Sequence, residues 1–217
     1  MIKEKISKFV FNGFFLLPLL FAATDLYAQK TVNSGAQTAG FVIAADNTTD
    51  EPVIHYQRNI SMLAGIDDVV SLSVFASGRV HVHYPIYMKK AGDYEMQLDD
   101  VELTALIQSL SAKGLLDFNE KAVKEKIQAA ENAKRKKGEL LVISDAVETV
   151  VDIRLDEFQK NKTSKKITKF HKQFKWKNIE QDAKRHKNNI EITNANRSIE
   201  QLKSVMKDKR LVKRPQR

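Results

Sequence analysis

The stretch VSLSVFASGRVHVHYPIYM, residues 70–88, decides the fold. Val70, Leu72 and Val74 alternate with Ser71 and Ser73; Ala76-Ser77-Gly78 interrupts; then Val80, Val82, Tyr84, Ile86 and Met88 alternate with Arg79, His81, His83 and Tyr87. A period of two sends successive side chains to opposite faces of a strand, so each run carries one apolar and one polar face. Two such runs joined by a short Gly-containing turn predict a β-hairpin with one buried face. Pro85 falls on the polar phase, which suits an edge strand.

Working outward, residues 53–62 predict a further strand, followed by a loop at 64–68. Downstream, Asp99 and Glu102 have the spacing of a capping box, and Leu103, Leu106, Ile107 and Leu110 share one helical face. Gly114 supplies the stop, with Leu115, Leu116 and Phe118 folding back on the core. Residues 119–137 permit a helix, but the stripe Val123, Ile127, Ala130 is thin, so a solvated helix or arm is expected.

The second half repeats the theme. Val147, Val151, Ile153 and Leu155 share one strand face and Glu148, Asp152 and Asp156 the other. On the next run Phe170, Phe174 and Trp176 oppose Lys165, Lys169, His171, Lys175 and Lys177. Asn194 is placed to cap a last helix carrying Ile199, Leu202, Val205 and Met206, before a basic tail. The expected fold class is α+β: two antiparallel hairpin–helix units forming one sheet with helices packed on one face, plus an N-terminal signal helix. In domain terms this gives a signal peptide at 1–28, a flexible leader at 29–52, a hairpin–helix unit at 53–118, a charged helical linker at 119–138 and a basic hairpin–helix unit with its tail at 139–217.

The first residues read as an export signal. Lys3, Lys5 and Lys8 precede a 15-residue apolar run, residues 9–23, and Leu26-Tyr27-Ala28 offers a cut before Gln29. That run is short of the ~20 residues a spanning helix needs, with an uncleaved anchor as the alternative. A periplasmic or secreted protein is therefore expected. Without cysteine the chain has no disulfides, no thiolate metal site and no lipid-bearing cysteine. Asn47 and Asn161 head glycosylation-type triplets, relevant only in a eukaryotic secretory pathway.

The net charge of +9 is unevenly spread. Residues 29–120 hold 6 Lys and Arg against 12 Asp and Glu, whereas 121–217 hold 27 against 13. This split predicts self-complementary packing, an anionic partner, or both. Lys165, Lys169, Lys175 and Lys177 are the candidate anion-binding residues. Phe170, Phe174 and Trp176 lie on the opposite phase and belong to the core rather than to a stacking platform, so no nucleic-acid partner is expected. Part of the lysine row is expected to pair with Glu148, Asp152 and Asp156.

No nucleophile elbow, zinc-protease helix or glycine-rich phosphate loop occurs, and no enzyme or cofactor is expected. His81 and His83 share a strand face that His55 could join, but no third ligand follows at a telling spacing, and no metal site is expected.

The order of elements resembles emfourin-type inhibitors of thermolysin-like metalloproteases, and uncharacterised exported bacterial proteins of similar outline. The resemblance is carried by Ile60-Ser61-Met62 running into Leu63-Ala64-Gly65-Ile66, the capped helix at 98–110, Gly114-Leu115-Leu116-Asp117-Phe118, and the later strand pair and closing helix. It covers 60–118 and 145–206, with insertions between. It implies a protein partner, a protease among the options, and a contact loop of Leu63, Ala64, Gly65, Ile66 and Asp67, where Leu63-Ala64-Gly65 replaces the family's double glycine. The function expected is a non-enzymatic binding module with a protein partner; the alternative is an envelope-associated protein that binds an anionic polymer or membrane through its basic C-terminal half.

Overall fold

A computed structural model describes residues 42–46, 50–60, 69–139 and 146–215, which all lie in one unit, Val32–Arg217. The strands are β1 (Val42–Ala44), β2 (Pro52–Ile60), β3 (Val70–Phe75), β4 (Arg79–Tyr84), β5 (Gly92–Gln97), β6 (Val147–Gln159), β7 (Ile167–Lys177) and β8 (Val212–Lys213). The helices are α1 (Asp100–Ala112), α2 (Glu120–Arg135), α3 (Ile179–Arg185) and α4 (Ile190–Val205). The signal segment and the contact loop of Leu63 to Asp67 fall outside the described residues.

All eight strands join one antiparallel sheet. Across it the order is β7-β6-β2-β3-β4-β5-β8. β7 occupies one edge of β6 from Glu148 to Phe158, while β2 and then β1 occupy the other. β1 therefore runs in line with β2. The fold class is the α+β arrangement expected, a single sheet with helices on one face.

The alternation read in 70–84 sets the two faces. Val70, Leu72, Val74, Val80 and Val82 are buried on one side and continue into Ile54, Tyr56, Val151, Ile153, Phe174 and Trp176. Against that side pack Leu103, Leu106, Ile107 and Leu110 of α1 and Ile192, Ala195, Ile199 and Leu202 of α4. Phe118 meets Phe174 and Trp176 edge-on at 5.1 and 5.7 Å between ring centroids. Trp176 Nε1 donates to Asp182 Oδ2 at 2.7 Å, so its one polar atom is satisfied inside the core.

The capping box forms as read. Asp99 Oδ1 accepts from Glu102 N at 2.7 Å and Asp99 N donates to Glu102 Oε2 at 3.0 Å. Gly78 has φ +81, and a Cβ there would lie 2.1 Å from the Leu98 carbonyl oxygen. The hairpin turn thus admits the start of α1 only because this position is bare.

Four local readings change. The second strand of the hairpin stops at Tyr84 rather than Met88, because Pro85 cannot donate to the ladder. The chain turns through 85–91 and returns as β5, making β4 an interior strand with Pro85 just beyond it. The last helix starts at Asn189, whose Oδ1 accepts from Ile192 N, five residues before Asn194. The basic tail comes back to the sheet, where Val212 and Lys213 pair with Glu95 and Tyr94. Among the described residues, no helix is long and apolar enough to cross a membrane.

Candidate functional site

Among the described residues the helices pack on one face of the sheet, and the ladder register sets out what lies on the other. One row runs Gln173, Asp152, His55, Ser73, His81, Glu95 across β7, β6, β2, β3, β4 and β5. The next runs Lys175, Val150, Gln57, Ser71, His83, Asp93. Four of the five histidines, His55, His81, His83 and His171, stand on this face.

Each of these histidines has a neighbour that fixes it. His81 Nε2 and His83 Nδ1 both meet Asp93 Oδ1, at 3.0 and 2.8 Å. Those two contacts, that of His83 foremost, hold the Asp93 carboxyl below the usual aspartate range. His171 Nε2 lies 2.6 Å from Asp152 Oδ1, while Arg154 donates to Oδ2 of the same carboxylate at 3.0 Å. His55 Nδ1 lies 3.0 Å from Ser73 Oγ. Partial burial lowers the His55 pKa, with Asp152 opposing that shift.

Asp152, His55 and Ser73 thus stand side by side on three adjacent strands. Their backbones belong to the sheet ladder, which holds the three side chains in one row. Among the described residues, no three His, Cys, Asp or Glu side chains group to hold a metal ion. His55 and His81 are separated by the Ser73 strand, roughly 10 Å at the usual spacing.

The lysines singled out in the sequence lie on or just before β7, the edge strand of this face. Lys175 Nζ meets Glu148 at 3.2 Å, and its backbone N–H donates to Glu120 Oε1 at 2.8 Å. Lys177 lies across from Glu148 in the register. Lys169 takes a left-handed backbone, φ 51, at a break in the ladder, and Lys165 precedes β7. All four are exposed. The structure brings Lys175 and Lys177 together around Glu148 and leaves Lys165 and Lys169 toward the other end of β7.

A second concentration of charge was not read from the sequence. α2 and the α3–α4 junction enclose an open cleft of about 900 Å³. Arg185 grips Glu131 with Nε at 2.6 Å and Nη2 at 2.8 Å. This fork lowers the Glu131 pKa to about 2. The basic residues of the cleft are visible in the sequence at 126, 134 and 184–187, but their meeting is set by how α2 packs beside the α3–α4 junction.

Comparison of the chain with family models, with curated proteins and with solved structures finds no match.

Proposed function

We propose that this chain is an exported, non-enzymatic binding module, and that the open face of its sheet docks a protein partner. The observation that carries this reading is the breadth and chemistry of that face. It is six strand spacings across, about 29 Å, the breadth of a patch burying ~800 Å² on each partner. It is mixed in charge and rich in planar imidazoles. That composition suits a protein surface better than a small substrate, which calls for a concave, mostly apolar site. The carboxylates hold the imidazoles in place, so less side-chain freedom is lost on docking.

Restraint of an exported protease is the specific form that the inhibitor-like outline supports, with Leu63, Ala64, Gly65, Ile66 and Asp67 as its contact loop. Export rests on the signal-like first 28 residues. The test is capture from the secreted or envelope fraction on the immobilised exported chain, beside a Ser73→Arg variant. A single protein held by the wild type through ~1 M salt, where screening shortens to about 3 Å, and lost from the variant supports the reading. Equal retention by both forms, or only mixed material released at low salt, counts against it. Titration of thermolysin with the chain tests the inhibitor form: undiminished hydrolysis at excess chain removes it.

A further inference from the structure

The cleft between α2 and the α3–α4 junction has no part in the docking face, and its chemistry is different. Lys126, Lys134, Lys184, Arg185 and Lys187 line or rim it. Lys134 and Arg185 converge on Glu131 at 3.5 and 2.6 Å, and Lys126 reaches Glu191 at 2.6 Å. Glu139 acts on Arg185 from further away. Among the described residues, no carboxylate lies within ion-pair reach of Lys184 or Lys187. Lys184 feels Glu180 one turn before it but has no direct ion pair, and neither does Lys187, so both ammonium groups remain open at one concave site.

His186 adds a second mark. It is only 9% exposed, and its Nε2 lies 2.9 Å from Glu131 Oε1 without forming a hydrogen bond. The His186 side chain forms part of the cleft wall, with its Nε2 buried against the Glu131 carboxylate. The first turn of α4 opens on the same space through Asn189 and Ile190, adding the positive end of a 16-residue helix. Glu131 already occupies part of this field as a resident carboxylate, held ionised down to about pH 2.

We infer that this cleft binds an anionic saccharide, one bearing sulfate, phosphate or carboxylate groups. Three features favour a sugar over a membrane surface. The volume falls within the 300–1,000 Å³ range of ligand sites. The floor carries Ile127 and Ala130, which suit the C–H face of a pyranose, and Asn188 adds amide groups that match its hydroxyls. The cations are arranged around a recess, whereas a planar headgroup layer is met by a protruding basic cluster. The site is separate from the open sheet face, so it stands or falls independently of the protein-docking reading.

The experiment is calorimetric titration of the exported chain with a heparin-derived octasaccharide, an uncharged maltooligosaccharide of similar length, and vesicles of phosphatidylglycerol. Two double variants are run beside it: Lys184→Ala/Lys187→Ala in the cleft and Lys175→Ala/Lys177→Ala on β7. Exposed lysines leave the fold intact, which circular dichroism checks. The expected result is octasaccharide binding that weakens at least tenfold in the cleft variant, less than threefold in the β7 variant, and is absent for maltooligosaccharide. Glu131→Gln, which releases Arg185, is expected to tighten binding. Failure to bind the octasaccharide, equal loss in both double variants, or binding to vesicles alone overturns the inference.

Discussion

The two faces of the sheet are built from the same strands and obey opposite rules. On the covered face, Leu72, Val74, Val80, Val82, Ile153 and Phe174 are buried against α1 and α4, and their cohesion comes from removing apolar surface from water. On the open face, His81 and His83 meet Asp93, His171 meets Asp152 and His55 meets Ser73, by short polar contacts that water competes with. One face is held by apolar burial, and the other by polar pairs at the water boundary.

Substitutions separate the two faces most sharply by size of effect. Phe174→Ala, which empties a fully buried site beneath Phe118, is expected to cost about 3–5 kcal/mol in urea unfolding. His81→Ala on the reverse face is expected to stay within about 1 kcal/mol. Comparable losses from the two would break the distinction.

Next in size is the polar anchor inside the covered face. Trp176→Phe removes the donor that satisfies Asp182, a carboxyl whose pKa burial raises. The expected loss is about 1–3 kcal/mol by the same measurement. Gly78→Ala belongs to the same range, about 1–3 kcal/mol, because its Cβ would collide with Leu98 O at a left-handed backbone.

The smallest effects are those of pH on the open face, and their signs are fixed by the contacts. Asp93 is depressed in the folded state, so its contribution is present above its ordinary value of 3.8 and is lost as pH falls through the folded value. Asp93→Asn should flatten that acid limb of the stability profile. His55 is also depressed, so the unfolded chain takes up the proton first and stability declines as pH drops below 6.5. His55→Gln should reduce the decline in urea midpoint between pH 7.5 and 5.5, and an unchanged decline would remove His55 from the account.

Much of the covered face was legible because its signals are local. The 70–84 alternation, the Asp99–Glu102 box and the Gly114 stop each lie within one element, and each forms as read. β5 was missed because GDYEMQ buries mainly Met96 and carries two acidic residues; its place is set by β4 rather than by its own propensity. α3 is seven residues entered through a left-handed Asn178, too short for a periodic signal. The α4 start was misplaced because Asn189 and Asn194 both offer caps; the period through Ile192, Ala195, Ile199 and Leu202 decides between them. The open face was the least legible. His55 meets Ser73 and neighbours Asp152 only through the register of β2 with β3 and β6, which joins residues up to 97 positions apart.

The most direct test of the proposed docking face is histidine footprinting with diethylpyrocarbonate, on residues 29–217 alone and saturated with the partner that the capture experiment would identify. The account predicts that the partner suppresses modification of His81, His83 and His171 together and leaves the buried His186, on the other side of the fold, as slow as before. Full reactivity of the three face histidines in a saturated complex would contradict it.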